Sequence, residues 1–82
     1  MENEKIIFDA AVANIKIPLR VEKEKETVHR QANELLNKRY AMYEEQHKNS
    51  PVEYILAMTA YALSVQVIDL QNYLEAIINN KN

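Results

Sequence analysis

The sequence predicts an α+β fold: an N-terminal β-hairpin followed by two α-helices, the second long and coiled-coil forming. Three observations predict it. Two runs of period two agree in register, the spacing becomes helical after Val21, and Ser50-Pro51 precedes an apolar run with no internal breaker. At 82 residues the chain is one small domain. Its expected organisation is a head over residues 1–50, made of the hairpin and the first helix. A long helix over 51–82 follows, with a core half and an oligomerisation half.

In the first run Ile6, Phe8, Ala10 and Val12 alternate with Lys5, Ile7, Asp9 and Ala11. In the second, Ile15, Ile17, Leu19 and Val21 alternate with Lys16, Pro18 and Arg20. With Ala13-Asn14 as a two-residue turn, Val12 faces Ile15, Ala10 faces Ile17, Phe8 faces Leu19 and Ile6 faces Val21. All four pairs are apolar and share one face, and a one-residue slip would destroy the match. Asn14 tolerates the left-handed backbone of a tight hairpin turn, whereas Ala13 suits it poorly. Pro18 falls opposite Asp9 in a non-hydrogen-bonded pair, so its missing N–H points outward and the second strand forms an edge. The first strand then keeps the only uninterrupted outer edge, to be capped by a helix, solvated, or paired with another chain.

The acidic and basic run Glu22-Lys23-Glu24-Lys25-Glu26 suits a helix N-terminus. The pairs Glu26–Arg30, Glu34–Lys38 and Glu44–Lys48 have the favourable i,i+4 order. Val28, Ala32, Leu35, Leu36, Tyr40, Met42 and Tyr43 form one apolar stripe, so the first helix is expected from about Glu24 to about His47. Ser50 is the expected N-cap of the second helix, with Pro51 at its first position and Glu53 completing a capping box. That helix continues to about Asn79, roughly 29 residues and about 43 Å long. A compact chain of this length has a radius of gyration of about 12 Å.

From Tyr54 to Ile68 the second helix is apolar nearly all round and needs cover on more than one side. Beyond it, Leu70, Tyr73, Leu74, Ile77 and Ile78 form a single stripe. Leu56, Thr59, Leu63, Gln66, Leu70, Tyr73 and Ile77 alternate spacings of three and four, with Thr59 and Gln66 as polar seam positions. Leu56, Leu63, Leu70, Tyr73, Leu74 and Ile77 are therefore the expected oligomerisation residues. A head and first helix of this size cannot cover the whole helix, and a homodimer follows.

Composition narrows the function. Lys plus Arg number 10 against 12 Asp plus Glu, a net charge of −2, which is no footprint for wrapping duplex nucleic acid. Without cysteine there is no disulfide, thiolate metal site or cysteine nucleophile, and without glycine no phosphate-cradling loop. The start MENEKIIFDA lacks the pattern of a signal peptide. The longest uncharged stretch, Tyr54 to Ile68, is shorter than the ~20 apolar residues of a membrane span. A cytoplasmic protein without membrane, cofactor or small-molecule substrate is expected.

Candidate chemistry is sparse. His29 and His47 lie too far apart on one helix to share a metal, and alternating lysines oppose a cation site at Glu22, Glu24 and Glu26. Ser50 is accounted for as a cap, and Tyr40, Tyr43, Tyr54, Tyr61 and Tyr73 as helix packing with hydroxyls at the rim. No constellation meets the geometry of an active site, and no enzyme is expected. Arg39 sits in the middle of the first helix's apolar stripe, a place for a snorkelling stem, a pair with Asp69, or a guanidinium offered to an acidic partner. Lys16 and Arg20 flank Pro18 on the polar sheet face and, with Lys38, make a modest basic patch.

The order of elements and the segments I-P-L-R-V (Ile17 to Val21), A-N-E-L-L-N-K-R (Ala32 to Arg39) and E-Y-I-L-A-M-T-A-Y-A-L-S (Glu53 to Ser64) resemble the ZapA family of bacterial division-ring proteins. The resemblance covers roughly residues 5 to 75. It implies a non-enzymatic cytosolic homodimer, or a tetramer of two dimers, whose heads bind FtsZ and whose long helices form a stalk. Such an oligomer bridges and bundles FtsZ protofilaments at mid-cell. Charged head residues carry that contact in the family, and Arg20 and Arg39 match its basic positions. The expected partner-binding set is Lys16, Arg20, Lys38 and Arg39. The competing readings are a coiled-coil adaptor for a different protein partner and a small nucleic-acid-binding dimer using Lys16, Arg20 and Lys38.

Overall fold

A computed structural model describes residues 4–80. Residues 1–3 and 81–82, the outer ends of the two expected segments and the start of the N-terminal leader reading, lie outside the described residues. Strand β1 (Lys5–Val12) pairs antiparallel with β2 (Ile15–Glu22). A single 3₁₀ turn at Lys23–Lys25 leads into helix α1 (Glu26–Gln46), and α2 (Val52–Asn79) completes the chain.

The register is the one the alternation dictates: Ile6 faces Val21, Phe8 faces Leu19, Asp9 faces Pro18, Ala10 faces Ile17 and Val12 faces Ile15. Ala13 and Asn14 both have positive φ, 54° and 64°. These values are those of a type I′ turn, whose twist matches the flanking strands. Ala13 carries its Cβ into the left-handed region, at a cost of about 1–2 kcal/mol. The ladder continues past the strands, where the Lys23 N–H donates to the Glu4 carbonyl at 2.8 Å.

Helix α1 lies against the sheet face bearing Phe8, Ala10, Ile17 and Leu19, leaving a shallow apolar groove between them of about 200 Å³. The charge run begins the helix later than expected, because Lys23–Lys25 turns as 3₁₀ before α-helical hydrogen bonding starts at Glu26. Of the three expected i,i+4 ion pairs, Arg30–Glu26 forms at 3.8 Å. The other two are absent among the described ion pairs, and Lys48 instead reaches Glu45 at 3.3 Å. Lys48 lies beyond the end of α1, where the chain has left the helical path that would stack it on Glu44.

The junction into α2 differs by one residue from the expected capping box. Pro51, with extended φ −69° and ψ 157°, occupies the N-cap, and no side chain caps the helix. The Pro51 carbonyl accepts both Tyr54 N–H at 3.0 Å and Ile55 N–H at 3.2 Å, while Ser50 N–H donates to His47 O. Ser50 is held by the tight turn leaving α1, and its position cannot serve both the turn and the cap.

The core is small. Val12, Tyr40 and Ile55 bring β1, α1 and α2 together, with Ala13, Leu36, Tyr43 and Leu56 packed around them. Thr59 is the most buried residue, 1% exposed, and its hydroxyl donates to the Ile55 carbonyl one turn back at 2.8 Å. Thr59 therefore belongs to the head's interior rather than to an open helical seam. The head covers one side of α2 up to Leu63, and from Ser64 to Asn80 every residue is exposed. The resulting body measures 51 × 37 × 14 Å, with a radius of gyration of 16.3 Å. That value is well above the ~12 Å of a compact chain, because α2 projects beyond the head.

Candidate protein-interaction surface

Three surfaces stand out: the projecting half of α2, the basic residues of the head, and the outer edge of β1. On α2, Leu70 (55% exposed), Tyr73 (63%), Leu74 and Ile77 lie open. The other two expected oligomerisation residues, Leu56 and Leu63, are half-buried where α2 leaves the head, and Leu56 packs on the core cluster. A second open stretch includes Tyr61, Val65 and Ile68, which with Ser64 and Asp69 line a concavity of about 300 Å³. Apolar residues thus cover more than one side of the exposed half. Contiguous exposed apolar surface of this kind marks interaction sites on soluble proteins.

By length and composition α2 is also apolar enough to cross a membrane. The apolar span runs beyond the uncharged Tyr54–Ile68 stretch because few charged residues follow it in α2. Ile55 and Thr59, however, carry the first half of the helix into the head's core, and Gln66 and Asp69 interrupt its middle.

The basic residues do not form one cluster. Strand alternation places Lys16 and Arg20 on the sheet face away from α1, two positions to either side of Pro18. Lys38 is exposed on α1. Arg39 is half-buried, and its guanidinium donates to Gln66 Oε1 at 2.6 Å. This contact ties α1 to α2 and assigns Gln66 a partner within the chain. Asp69 is not Arg39's partner among the described ion pairs. The guanidinium retains further donors with which to meet an acidic group.

Both histidines are half-buried. His29 packs against Phe8 with ring centroids 5.8 Å apart, and His47 meets Tyr54 edge-on at 5.7 Å. Of the tyrosines, Tyr40 is buried and Tyr43 half-buried, while Tyr54, Tyr61 and Tyr73 are exposed along α2. Among the described residues no group of three or more histidine, aspartate or glutamate side chains is placed to hold a metal ion.

The sequence reasoning missed Asn33 and Asn37. Asn33 Oδ1 accepts the Ala11 N–H at 3.0 Å, and Asn37 Nδ2 donates to the Ala11 carbonyl at 2.7 Å. Asn37 also donates to the Asn33 carbonyl at 2.8 Å, which fixes its rotamer. Ala11 sits in a non-hydrogen-bonded pair with Lys16, so both of its peptide groups point outward from β1. The two asparagines mimic a neighbouring strand there. Their i,i+4 spacing, beside Leu36 and Tyr40 on the sheet-facing side of α1, was the available signal.

No curated protein and no solved structure matches the chain. A family model does, described as cell division protein ZapA and matching residues 10–82, from the last third of β1 through α2. The matched span takes in the hairpin turn, both helices and the projecting apolar half of α2, and the chain belongs to the ZapA family of FtsZ-associated cell-division proteins.

Proposed function

We propose that this protein is a non-enzymatic crosslinker that binds FtsZ through its head and bundles protofilaments at the mid-cell division site of the cytoplasm as a homo-oligomer. The observation that carries the reading is the projecting half of α2, exposed from Ser64 to Asn80 and apolar on more than one side. Pairing α2 with a second copy through Leu70, Tyr73, Leu74 and Ile77, with the half-buried Leu56 and Leu63 at the head margin of the contact, covers that surface. It also sets two heads on one rigid body.

Joined heads turn a weak contact into strong bridging, since the second attachment becomes intramolecular. The head contact is assigned to Lys16, Arg20, Lys38 and Arg39, cations suited to an acidic filament surface. Because these lie on different faces of the head, they support contact through more than one patch. The protein needs no cofactor, metal, nucleic acid or small-molecule substrate for this role.

Co-sedimentation of FtsZ polymers with the full chain tests it. Increased pelleting at low centrifugal force, together with a dimer or tetramer mass by light scattering, is expected. An oligomer without effect on FtsZ across salt and nucleotide conditions would assign the same scaffold to a different partner.

A further inference from the structure

We propose that the outer edge of β1 is a second self-association site, at which Lys5–Asp9 pairs antiparallel with Lys5–Asp9 of another copy to give a continuous four-stranded sheet. This site is separate from α2 and does not depend on the helix pairing.

Outward-pointing peptide groups on β1 belong to the residues in non-hydrogen-bonded pairs with β2: Lys5, Ile7, Asp9 and Ala11. Those of Ala11 are taken by Asn33 and Asn37. No backbone partner for those of Lys5, Ile7 and Asp9 occurs among the described residues. The β2 edge is not equivalent, because Pro18 removes an outward donor from its centre. Ile7 at the middle of the open stretch is 64% exposed, an unusual position for a β-branched apolar side chain on an edge strand.

The open segment is self-complementary. A two-fold axis at Ile7 sets Ile7 opposite Ile7, Lys5 opposite Asp9 and Asp9 opposite Lys5. Each of the three open residues meets an open residue of the second copy. On one face this register makes two opposite-charge pairs flanking an Ile–Ile contact, and on the other it sets Ile6 against Phe8. Centring on Asp9 would oppose like charges and require the Ala11 groups that the asparagines hold. Centring on Lys5 opposes like charges as well. An isologous contact of this kind closes on itself.

Cysteine cross-linking in the full chain tests the proposal, since the protein has no cysteine of its own. Facing hydrogen-bonded residues have Cα atoms about 5.5 Å apart, within disulfide range. The Ile7→Cys chain is expected to form a disulfide-linked dimer under mild oxidation. Adding Asp9→Lys or Lys5→Asp puts like charges opposite each other twice and should slow the linkage about tenfold. Mixing the two charge variants restores both opposite-charge pairs, so the hetero-linked product should form at close to the parent rate. A folding defect cannot produce that rescue.

An Ile7→Cys chain that light scattering finds oligomeric but that forms no disulfide would overturn the edge pairing and leave the α2 interface standing. Linkage indifferent to the charge changes would overturn it too. Linkage with rescue in a chain whose α2 variants are all without effect would leave the edge pairing standing alone.

Discussion

Removing the asparagine contacts should weaken the head by an amount that the local geometry sets. Asn33→Ala leaves the Ala11 N–H without its 3.0 Å acceptor, and Asn37→Ala leaves the Ala11 carbonyl without its 2.7 Å donor. Both contacts are partly buried, so water replaces them incompletely. Each loss costs about 1–3 kcal/mol, near the lower end because the site lies at a sheet edge. Alanine returns about 0.6 kcal/mol of helix propensity at each position. The net expectation is about 0.5–1 kcal/mol for either variant. The double variant should lose less than the sum, because both side chains serve the same residue.

Urea unfolding at one fixed protein concentration reads the change, the fixed concentration holding the contribution from self-association constant across variants. Amide exchange gives a second readout, as Asn33→Ala should strip protection from Ala11 while leaving Ile6 and Phe8 in the hairpin ladder protected. Gln31→Ala, exposed on the same helix, is the neutral comparison. If both asparagine variants unfold with the Gln31→Ala midpoint and Ala11 stays protected, the strand-mimic account is wrong.

Other substitutions give separate tests. Leu70→Glu or Leu74→Glu should weaken self-association about 10- to 100-fold each, from the ~1.5–3 kcal/mol lost with each buried leucine, and light scattering across a dilution series reads it. Thr59→Val should change stability by less than about 1 kcal/mol, since the Ile55 carbonyl keeps its helical hydrogen bond, whereas Thr59→Asp buries a charge and should abolish cooperative thermal unfolding of the head. Ala13→Asn suits the left-handed turn and should raise stability by about 0.5–1 kcal/mol. A fall instead would mean that the packing of Ala13 on the Val12–Tyr40–Ile55 cluster outweighs its backbone strain.

The parts of the fold that were legible in the sequence are those in which one residue's place constrains many others. A slip in the hairpin would have turned Ile6, Phe8, Ala10 and Val12 to solvent together, so alternation alone determined the register. The helix break at Ser50-Pro51 was legible because proline cannot continue a helix, but the exact cap was not. Which of two adjacent residues ends the turn depends on how α1 exits at His47. Thr59 and Gln66 show why a heptad reading of one chain falls short. Their spacing is the same as that of Leu63 and Leu70, yet the head lies across the first part of the helix and takes Thr59 into its interior. Gln66 meanwhile serves Arg39. Asn33 and Asn37 were hard to read for a different reason. Their i,i+4 spacing marks a face of α1, but their partner lies 22 and 26 residues away and nothing in that spacing names it.

Pro18 has a consequence for what this hairpin avoids. Ile, Val, Leu and Phe crowd both strands, a composition that in an open sheet invites endless stacking of chains into fibrils. With Pro18 interrupting one margin and the asparagines shortening the other, the uninterrupted open main chain among the described residues is a brief window on β1. A docked pair would present a proline at each outer border, leaving a third molecule no clean template. A head that docks by this edge therefore stops growing after a single addition, however apolar its strands.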